Sequence, residues 1–354
     1  MSPTGDYPKS PDMQTEPFGP TADRDRAAGA EAVARAAEIL RGGGVVAFPT
    51  ETVYGLGADA TNPAAVRRVF AIKGRPAHHP LIVHLAGSEW IEEWAREVPQ
   101  AAYALARAFW PGPLTLVLER QPQVLDEVTG GQDSVALRVP AHPVALALIR
   151  AAGALVAPSA NRFGHVSPTT AEHVRAELGE AVDMILDGGP CQVGVESTIL
   201  SLLTDTPTVL RPGAVTLEAI KAVLGRPVAR RGGGVRAPGG LPAHYAPSTP
   251  LTLCPAAQLD SRAQALAASR RVAVLTLGET KAALPHGVEV YALPGDPAAC
   301  ARQLYATLRS LDGAGFDVLL VEEPPEGSAW EAVRDRLTRA ARAFASQAGA
   351  ESGT

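Results

Sequence analysis

The sequence predicts an α/β protein with two domains, and three observations lead to this prediction. The chain of 354 residues is longer than one hydrophobic core normally supports. Short apolar stretches with β-prone residues alternate with helical stretches along most of its length. This alternation stops within 218–247, and 226–247 is rich in Gly, Pro and Arg. We therefore expect a larger first domain over 27–217, a linker over 218–247 and a smaller second domain over 248–346.

Glycine, proline and apolar spacing place the elements of the first domain. Residues 1–26 show no periodicity, so we expect them to form a disordered tail. A helix is predicted over 27–41, where three glycines end it, and a strand over 45–48, where Pro49 stops it. The TETVYGLG stretch after this strand is predicted to be a loop. The other predicted strands are 80–85, 114–119, 135–140, 154–160, 184–189 and 197–203, and the other predicted helices are 63–72, 98–108 and 169–178.

The second domain has a simpler pattern, in which apolar strands alternate with helical stretches. Such a pattern is typical of a small, mostly parallel sheet with helices packed on it. Residues 347–354 are expected to be a tail. The strands are predicted at 272–277, 288–292 and 316–321, and the helices at 256–269, 297–311 and 329–346.

Composition excludes several classes of protein. Hydrophobic residues make up 46% and charged residues 19%, which is typical of a globular chain and not of a disordered one. The formal net charge is -5, and the first 217 residues hold 17 basic and 24 acidic residues. Aromatic residues are only 5%. These values argue against binding nucleic acid by bulk charge or by stacking, so an anionic ligand requires a local cluster of cations.

The cysteines and the termini indicate the compartment. Cys191, Cys254 and Cys300 are far apart and fit neither a metal motif nor a disulfide framework. The sequence contains no apolar run long enough to span a membrane and no export signal. We therefore expect a cytoplasmic protein that does not act at a membrane.

A basic turn is the first candidate site. The chain has only four lysines, and one of them, Lys73, lies with Arg75 on either side of a glycine, between a predicted helix and a predicted strand. A mobile ammonium and a rigid guanidinium suit a polyphosphate, because one neutralises charge and the other fixes orientation. Taken alone, this turn is more often an ordinary solvated feature.

Two polar loops strengthen the candidate. FPTETVYGLG (48–57) holds three hydroxyl side chains and a carboxylate beside two glycines, and it suits a small polar ligand. APSANRFGHVSPTT (157–170) holds further hydroxyls just before a predicted helix, whose first turn is an anion site. Helix capping by Ser167 or Thr169 explains part of this second pattern without a ligand.

Ten short stretches, taken together and in this order, resemble the two-domain L-threonylcarbamoyladenylate synthases, whose first domain is the YrdC-like domain. They cover most of the chain, and ten in family order are far more specific than any one alone. They are FPTETVYGLG, KGRP followed by PLIVH, WPGPLTLVL, VALRVPAHP, APSAN, SPT, ILDGG, GVESTI, LRPGA and HYAP.

This resemblance implies both a fold and a reaction. The first domain is expected to be a twisted open sheet around a deep cleft, and the second a smaller Rossmann-like α/β domain. L-threonine, bicarbonate and ATP are the implied substrates, and L-threonylcarbamoyl-AMP and pyrophosphate the implied products. The implied partner is a transferase complex that modifies the tRNA adenosine beside the anticodon, with weak or absent direct tRNA binding. Mg²⁺ is expected to bind through the phosphates, and no metal ligand in the protein is implied.

The resemblance also implies roles for individual residues. Thr52, Tyr54, His84, Arg138, Ser159 and Ser197 fall on L-threonine-binding positions. Lys73 and Arg75 fall on catalytic, phosphate-binding positions, and His79, Ser134, Asn161, Thr169, Arg211 and Tyr245 on further ATP-binding ones. Tyr245 would reach the nucleotide from the linker, which we therefore expect to act as a lid. By contrast, Glu196, Asp187, His142 and His165 are interpreted as structural or capping residues.

Three positions depart from the family pattern. His78 stands where relatives often have Asp, and Ser134 where threonine is common. The linker has no basic residue between Pro238 and His244, where many relatives carry one. The first departure predicts phosphate binding that depends on pH near neutrality.

Two other functions stay open at this point. One is an RNA-binding or ribosome-maturation module, which the acidic first domain and the low aromatic content disfavour. The other is a related enzyme that processes a different carbamoyl compound.

Overall fold

A computed structural model of the chain describes residues 20–230, 234–278 and 288–351. The predicted N-terminal tail therefore lies largely outside the described residues. Within them, two sheets carry helices, which confirms the α/β class and its division into a larger and a smaller unit. No helix in these ranges is long and apolar enough to cross a membrane.

The larger sheet has ten strands of mixed direction. Its spatial order is β10-β9-β8-β4-β5-β3-β6-β2-β1-β7. Parallel and antiparallel pairs are mixed along it, and the three consecutive pairs from β3 to β1 are all antiparallel. The strands are β1 Val46–Phe48, β2 Gly55–Asp59, β3 Ile82–His84, β4 Leu114–Glu119, β5 Ser134–Arg138, β6 Leu155–Val156, β7 Met184–Ile185, β8 Thr198–Ser201, β9 Thr208–Arg211 and β10 Ala229–Arg230.

Helices cover both faces of this sheet. Neighbouring residues of β1 point to opposite faces: Ala47 packs into one apolar cluster, whereas Val46 and Phe48 pack into another. The second cluster lies under the first and sixth helices. The helices are α1 Pro20–Arg41, α2 Pro63–Lys73, α3 Ile91–Trp94, α4 Gln100–Phe109, α5 Asp126–Thr129, α6 Pro143–Ala152, α7 Ala171–Leu178 and α8 Leu217–Leu224.

The structure corrects the predicted loop after β1. Residues 51–53 do form a bend, but Gly55–Asp59 return as β2, antiparallel to β1. The glycines in GLG hid this strand, because glycine lowers strand propensity where no side chain packs. The strand is nevertheless buried between β1 and β6, so tertiary pairing overrides propensity.

The smaller sheet is entirely parallel, in the order β11-β14-β12-β13. This confirms the predicted second α/β domain and adds β11, which the sequence pattern did not single out. The strands are β11 Leu251–Cys254, β12 Val272–Leu277, β13 Val288–Leu293 and β14 Val318–Glu322, and the helices are α9 Leu259–Ala267, α10 Pro297–Asp312 and α11 Glu331–Glu351.

Several element bounds differ from expectation, among them those at the two ends of the chain and in the linker. Helix α1 begins at Pro20, before the predicted start of order, and α11 continues past Gly349 to Glu351, into the predicted tail. The first part of the predicted linker is folded. Leu217 and Ile220 of α8 lie in the core of the first domain, so the linker proper starts after β10.

The two domains share an apolar core. Val53, Val166 and Val195 of the first domain pack in the same buried cluster as Leu304 and Leu337 of the second. Burial of this kind stabilises a fixed arrangement of domains, because separation would expose apolar surface to water. The linker residue Tyr245 belongs to the same cluster.

Candidate active site

A small cavity lies where the large sheet, the linker and the second domain meet. Its volume is about 50 Å³, which holds a few water molecules but no nucleotide. Strand ends of the first domain form most of its wall, and linker residues close it. The lining residues are Thr52, Val53, Arg75, Leu81, Ile82, His84, Arg138, Ala157, Pro158, Ser159, Glu196, Ser197, Arg211, Pro238, Gly239, His244 and Tyr245.

Two parallel strands bring His84 and Arg138 together. They are register partners at the ends of β3 and β5, so both side chains reach the same edge of the sheet. Arg138 donates from Nη2 to Glu51 Oε1 at 2.5 Å and from Nε to the Gly112 carbonyl at 3.2 Å. Among the described residues its Nη1 has no hydrogen bond, so one edge of the guanidinium remains available for a carboxylate.

His84 is a neutral side chain in this wall. Burial, together with the charge of nearby Arg138, lowers the pKa of His84 to about 3. Its Nδ1 lies 3.3 Å from the carbonyl oxygen of Ile82. At neutral pH the ring is therefore an uncharged hydrogen-bonding group beside the arginine.

A second arginine joins the sheet to the linker. Arg211, at the end of β9, donates from Nη2 to the Ser197 carbonyl at 2.8 Å and from Nη1 to the Pro238 carbonyl at 3.2 Å. The Ser197 hydroxyl lies 2.7 Å from the Thr115 hydroxyl and accepts from Arg211 at 3.2 Å. A buried cation thus holds the linker against the cavity.

The basic turn follows from the end of α2. Gly74 takes the left-handed conformation, with φ of 62°, and its N–H bonds back into the helix, which ends there. Arg75 reaches the cavity wall, where Nη2 donates to the Pro80 carbonyl at 2.9 Å. Burial and the nearby Arg211 lower the pKa of Arg75 to about 10, so it stays a cation at neutral pH.

Lys73 lies behind the wall. Its Nζ donates to the carbonyl oxygens of Ser159 at 2.5 Å and Asn161 at 2.6 Å. In this arrangement the ammonium orders the APSAN loop instead of lining the cavity. Burial and the neighbouring Arg75 lower the pKa of Lys73 to about 7, so a bound anion would favour its charged form.

The linker presents two aromatic residues to the cavity. The His244 ring lies edge-on to Phe163 of the first domain, with centroids 5.5 Å apart, and the Tyr245 ring stacks on Tyr305 of the second at 6.1 Å. Gly239 leaves space for the Tyr245 hydroxyl, since a Cβ there would lie 2.0 Å from that oxygen. The linker is therefore packed against both domains.

Unpaired buried polar atoms gather around this cavity. Arg75 Nε, His244 Nδ1 and the Tyr245 hydroxyl belong to lining residues, and Asn161 Oδ1 to the adjoining loop; none has a partner in the described part of the chain. Buried polar groups without partners are rare in folded proteins and carry a free-energy cost. Their concentration here indicates a polar ligand.

A buried ion pair across the domains supports the same wall. Glu196 Oε2 accepts from Arg336 Nε of α11 at 2.7 Å and from the Tyr305 hydroxyl at 3.1 Å, and its Oε1 accepts from Ser167 at 2.5 Å. The Arg336 guanidinium also lies over the Tyr245 ring, 5.0 Å from its centroid. Although burial alone would raise it, the pKa of Glu196 is lowered to about 2 by Arg336 and Arg211. This carboxylate is structural and charged.

The structure brings many of the predicted residues together on the wall, and their individual roles stay predictions. Tyr54 donates its hydroxyl to the Gly189 carbonyl at 2.8 Å, away from the cavity. The lining includes Thr52, Arg75, His84, Arg138, Ser159, Ser197, Arg211 and Tyr245, but not Tyr54, Lys73, His79, Ser134, Asn161 or Thr169.

The sequence did not reveal that Glu51 is the partner of Arg138. It also did not single out Phe163 or Arg336. Glu51 was visible as the only carboxylate in the FPTETVYGLG loop. Nothing in the sequence singled out Arg336 among the chain's many arginines, because the pairing joins residues 140 positions apart.

The described residues do not form a metal site. They contain no group of three or more His, Cys, Asp or Glu side chains arranged to hold a metal ion. The cavity lining has one carboxylate, that of Glu196, and it is paired with Arg336.

Comparisons with known proteins identify the family of the chain. A family model described as "Telomere recombination" (Sua5/YciO/YrdC) matches residues 38–213, and the model "Threonylcarbamoyl-AMP synthase, C-terminal domain" matches residues 215–342. The Bacillus subtilis (strain 168) protein named threonylcarbamoyl-AMP synthase is 43% identical over 324 residues, which cover 87% of this chain and 92% of that protein. The chain belongs to the threonylcarbamoyl-AMP synthase family.

A second relative and a solved structure support the same family. The threonylcarbamoyl-AMP synthase of Pyrococcus abyssi (strain GE5 / Orsay) is 42% identical over 314 residues, covering 86% of this chain and 92% of that protein. The crystal structure of P. abyssi Sua5 complexed with L-threonine matches with a TM-score of 0.81 and 41% identity, covering 88% of this chain and 94% of that one. The predicted family, fold class and enzyme class are thereby confirmed.

Acid should destabilise this enzyme through its buried histidines. Burial lowers the pKa of His84 and His244 to about 3, whereas the unfolded chain has ordinary histidines near 6.5. Between these values the unfolded state binds more protons, so stability is lost as pH falls. Below about pH 4.5, Glu196 adds to this loss of stability. We expect urea unfolding to show a decrease on the order of 2–3 kcal/mol per histidine from pH 7 to pH 4.

A His244→Gln variant should lose part of this pH dependence while retaining the contribution of His84. A free energy of unfolding that is constant or rises as pH falls from 7 to 4 would contradict the assignment of these histidines as neutral.

Proposed function

We propose that this chain makes L-threonylcarbamoyl-AMP from L-threonine, bicarbonate and ATP, with release of pyrophosphate. The observation that carries the proposal is one cavity whose wall holds three buried arginines, Arg75, Arg138 and Arg211, beside unpaired polar atoms. Such a wall suits a ligand with several anionic groups. Membership of the threonylcarbamoyl-AMP synthase family supports the choice of reaction.

The threonine end is proposed to lie at Arg138 and His84. The free edge of the guanidinium would hold the amino-acid carboxylate, while Glu51 fixes the other edge. Thr52 and Ser159, on the same wall, would bond the polar groups of the substrate. The P. abyssi relative was solved with L-threonine, which supports this amino acid.

The nucleotide is proposed to lie between Arg75, Arg211 and Tyr245. Threonine and bicarbonate combine to N-carboxythreonine with loss of water, and its carboxylate oxygen attacks the α-phosphorus of ATP. A new O–P bond forms, the bond from the α-phosphorus to the bridging oxygen breaks, and pyrophosphate leaves. Two anions must approach each other, so the protein's task is positioning and charge neutralisation.

The remaining parts of the nucleotide site are also proposals. Lys73 would gain its charge when phosphates arrive and would otherwise order the loop at 159–161. Magnesium would arrive as a counter-ion of ATP, with phosphate oxygens as its ligands. A separate transferase complex would consume the mixed anhydride by moving its threonylcarbamoyl group to tRNA.

The linker is proposed to be a lid. Pro238, Gly239, His244 and Tyr245 close a cavity that has no room for ATP, so ATP must wait for the linker to move. In stopped-flow binding, the observed rate should level off at high ATP concentration, and Tyr245→Ala should raise the plateau because it loosens the closed state. A rate that rises linearly with ATP throughout would exclude a gating linker.

Pyrophosphate release measured with L-threonine, with L-serine and with no amino acid tests the proposed reaction. We expect release to need L-threonine and to be much weaker with serine. Pyrophosphate release that does not depend on the amino acid would overturn the proposal and would favour a different carbamoyl substrate. The RNA-binding alternative predicts instead tight tRNA binding that weakens steeply with salt.

A further inference from the structure

A second cavity lies between α11 and the edge of the large sheet formed by β9 and β10. Its volume is about 330 Å³, several times that of the first cavity, and it is open to solvent. This volume is at the lower end of the range for small-molecule sites. We call it the arginine groove, after Arg230, Arg334, Arg339 and Arg342 in its lining.

The groove exists because one face of α11 is polar where it meets the first domain. Residues 331, 334, 335, 338, 339 and 342 all line it, and this spacing places them on one stripe of the helix. An apolar stripe would pack directly against β9 and β10. A charged stripe does not pack directly against these strands and leaves an open channel between the domains.

The lining of the groove carries more positive than negative charge. Glu331 is paired with Arg230 at 3.1 Å, and Asp335 accepts from Arg339 Nε at 2.9 Å. Asp335 also accepts from Arg336 at 2.9 Å, so both carboxylates are neutralised within the lining or directly behind it. The positive charge of Arg334 and Arg342 is left without a carboxylate partner among the described residues.

Arg339 provides an independent sign of a ligand. Its side chain is only 2% exposed, and its Nη2 has no hydrogen-bond partner in the part of the chain that the structure describes. An unpaired buried donor is costly, and an acceptor in the groove would remove that cost. Nη1 of the same guanidinium donates to the Leu241 carbonyl of the linker.

We propose that the arginine groove binds a compact polyphosphate, either inorganic pyrophosphate or the phosphate chain of a nucleotide. Guanidinium groups on two sides of a channel match phosphate oxygens in geometry and charge. The site is separate from the catalytic cavity, with which it shares no lining residue. An anion there would act on Arg339, whose Nη1 and carbonyl oxygen hold Leu241 and His244 of the lid.

Calorimetric titration of the full chain tests the groove in two steps. A non-cleavable ATP analogue, α,β-methylene-ATP, is titrated first, and inorganic pyrophosphate is then titrated into the saturated protein. One analogue followed by one pyrophosphate per chain assigns the groove to pyrophosphate. Two analogues per chain, with no further pyrophosphate, assign it to a nucleotide phosphate chain.

Variants identify the site. Arg342→Ala combined with Arg334→Ala should weaken the second binding event at least ten-fold and leave the first unchanged. Arg342 is exposed and Arg334 lies on the partly exposed face of α11, so the fold should tolerate both changes. The matched control is Arg262→Ala, an exposed arginine of the same domain. The proposal would be overturned if every binding event of the analogue and of pyrophosphate were equal in the double variant and the control.

This test does not use threonine or turnover. A chain that failed to make threonylcarbamoyl-AMP could still show the arginine-dependent second event, and an active chain could lack it. Failure of the groove and failure of the proposed reaction are therefore distinguishable.

Discussion

Arg336→Met is expected to lower the free energy of unfolding by about 3–5 kcal/mol. The substitution keeps most of the side-chain volume but leaves the Glu196 carboxylate buried without its cation. Arg336 and Glu196 side chains are 1% and 9% exposed, so water cannot replace the lost partner. Urea unfolding of the full chain at pH 7 measures the change.

Two further variants separate charge from packing. In a Glu196→Gln, Arg336→Met double variant the buried side chain at position 196 is neutral and can still hydrogen-bond to Ser167 and Tyr305. The double variant should therefore recover much of the free energy of unfolding that Arg336→Met loses. Arg262→Met, at an exposed position, should change little. If Arg336→Met alone stays within about 1 kcal/mol of the parent chain, the ion pair is not what fixes the two domains together.

Arg138→Ala is expected to reduce kcat/KM for L-threonine at least about ten-fold, equivalent to ~1.4 kcal/mol of binding. It removes the proposed grip on the carboxylate, and it also leaves Glu51 without its cation. Arg138→Lys is the sharper variant, because an ammonium can still pair with Glu51 but cannot form a two-pronged contact with a carboxylate.

The lysine variant should therefore fold as well as the parent chain, with a raised KM for threonine and a nearly unchanged KM for ATP. Steady-state pyrophosphate release at varied threonine and ATP gives both constants. A threonine KM that is unchanged in Arg138→Lys and Arg138→Ala would show that this arginine does not bind the amino acid.

Much of the fold was predictable where apolar runs are continuous. The strand over 114–119 and the strand over 272–277 have the predicted bounds, because each is a buried β-prone run with an arginine at one end and a proline or glycine at the other. The strand Gly55–Asp59 is predicted to be a loop because of its glycines. Residues 218–224 of helix Leu217–Leu224 are predicted to belong to the linker because the composition changes nearby. In both cases burial against neighbouring elements decided the structure.

Site residues can be predicted from the sequence where they lie in distinctive motifs. They cannot be predicted where their position depends on pairing with residues far away in the chain. The resemblance singles out Arg138, His84 and Arg211 because they lie in recognisable motifs, and the structure places all three at the ends of strands. The place of Lys73 behind the wall could not be predicted, because its two carbonyl partners come from a loop 86 and 88 positions further along the chain. The partner of Glu196 lies in the second domain, beyond the reach of any local pattern.

The identity of the nucleotide product tests the account most directly. The full chain is incubated with ATP, L-threonine and ¹³C-labelled bicarbonate. The product is then separated, and its mass is measured by mass spectrometry. We predict one product that contains AMP, threonine and a single labelled carbon, formed in equal amount with pyrophosphate and absent without threonine. An AMP-containing product without threonine or without the label would contradict the assignment of this cavity to threonylcarbamoyl-AMP synthesis.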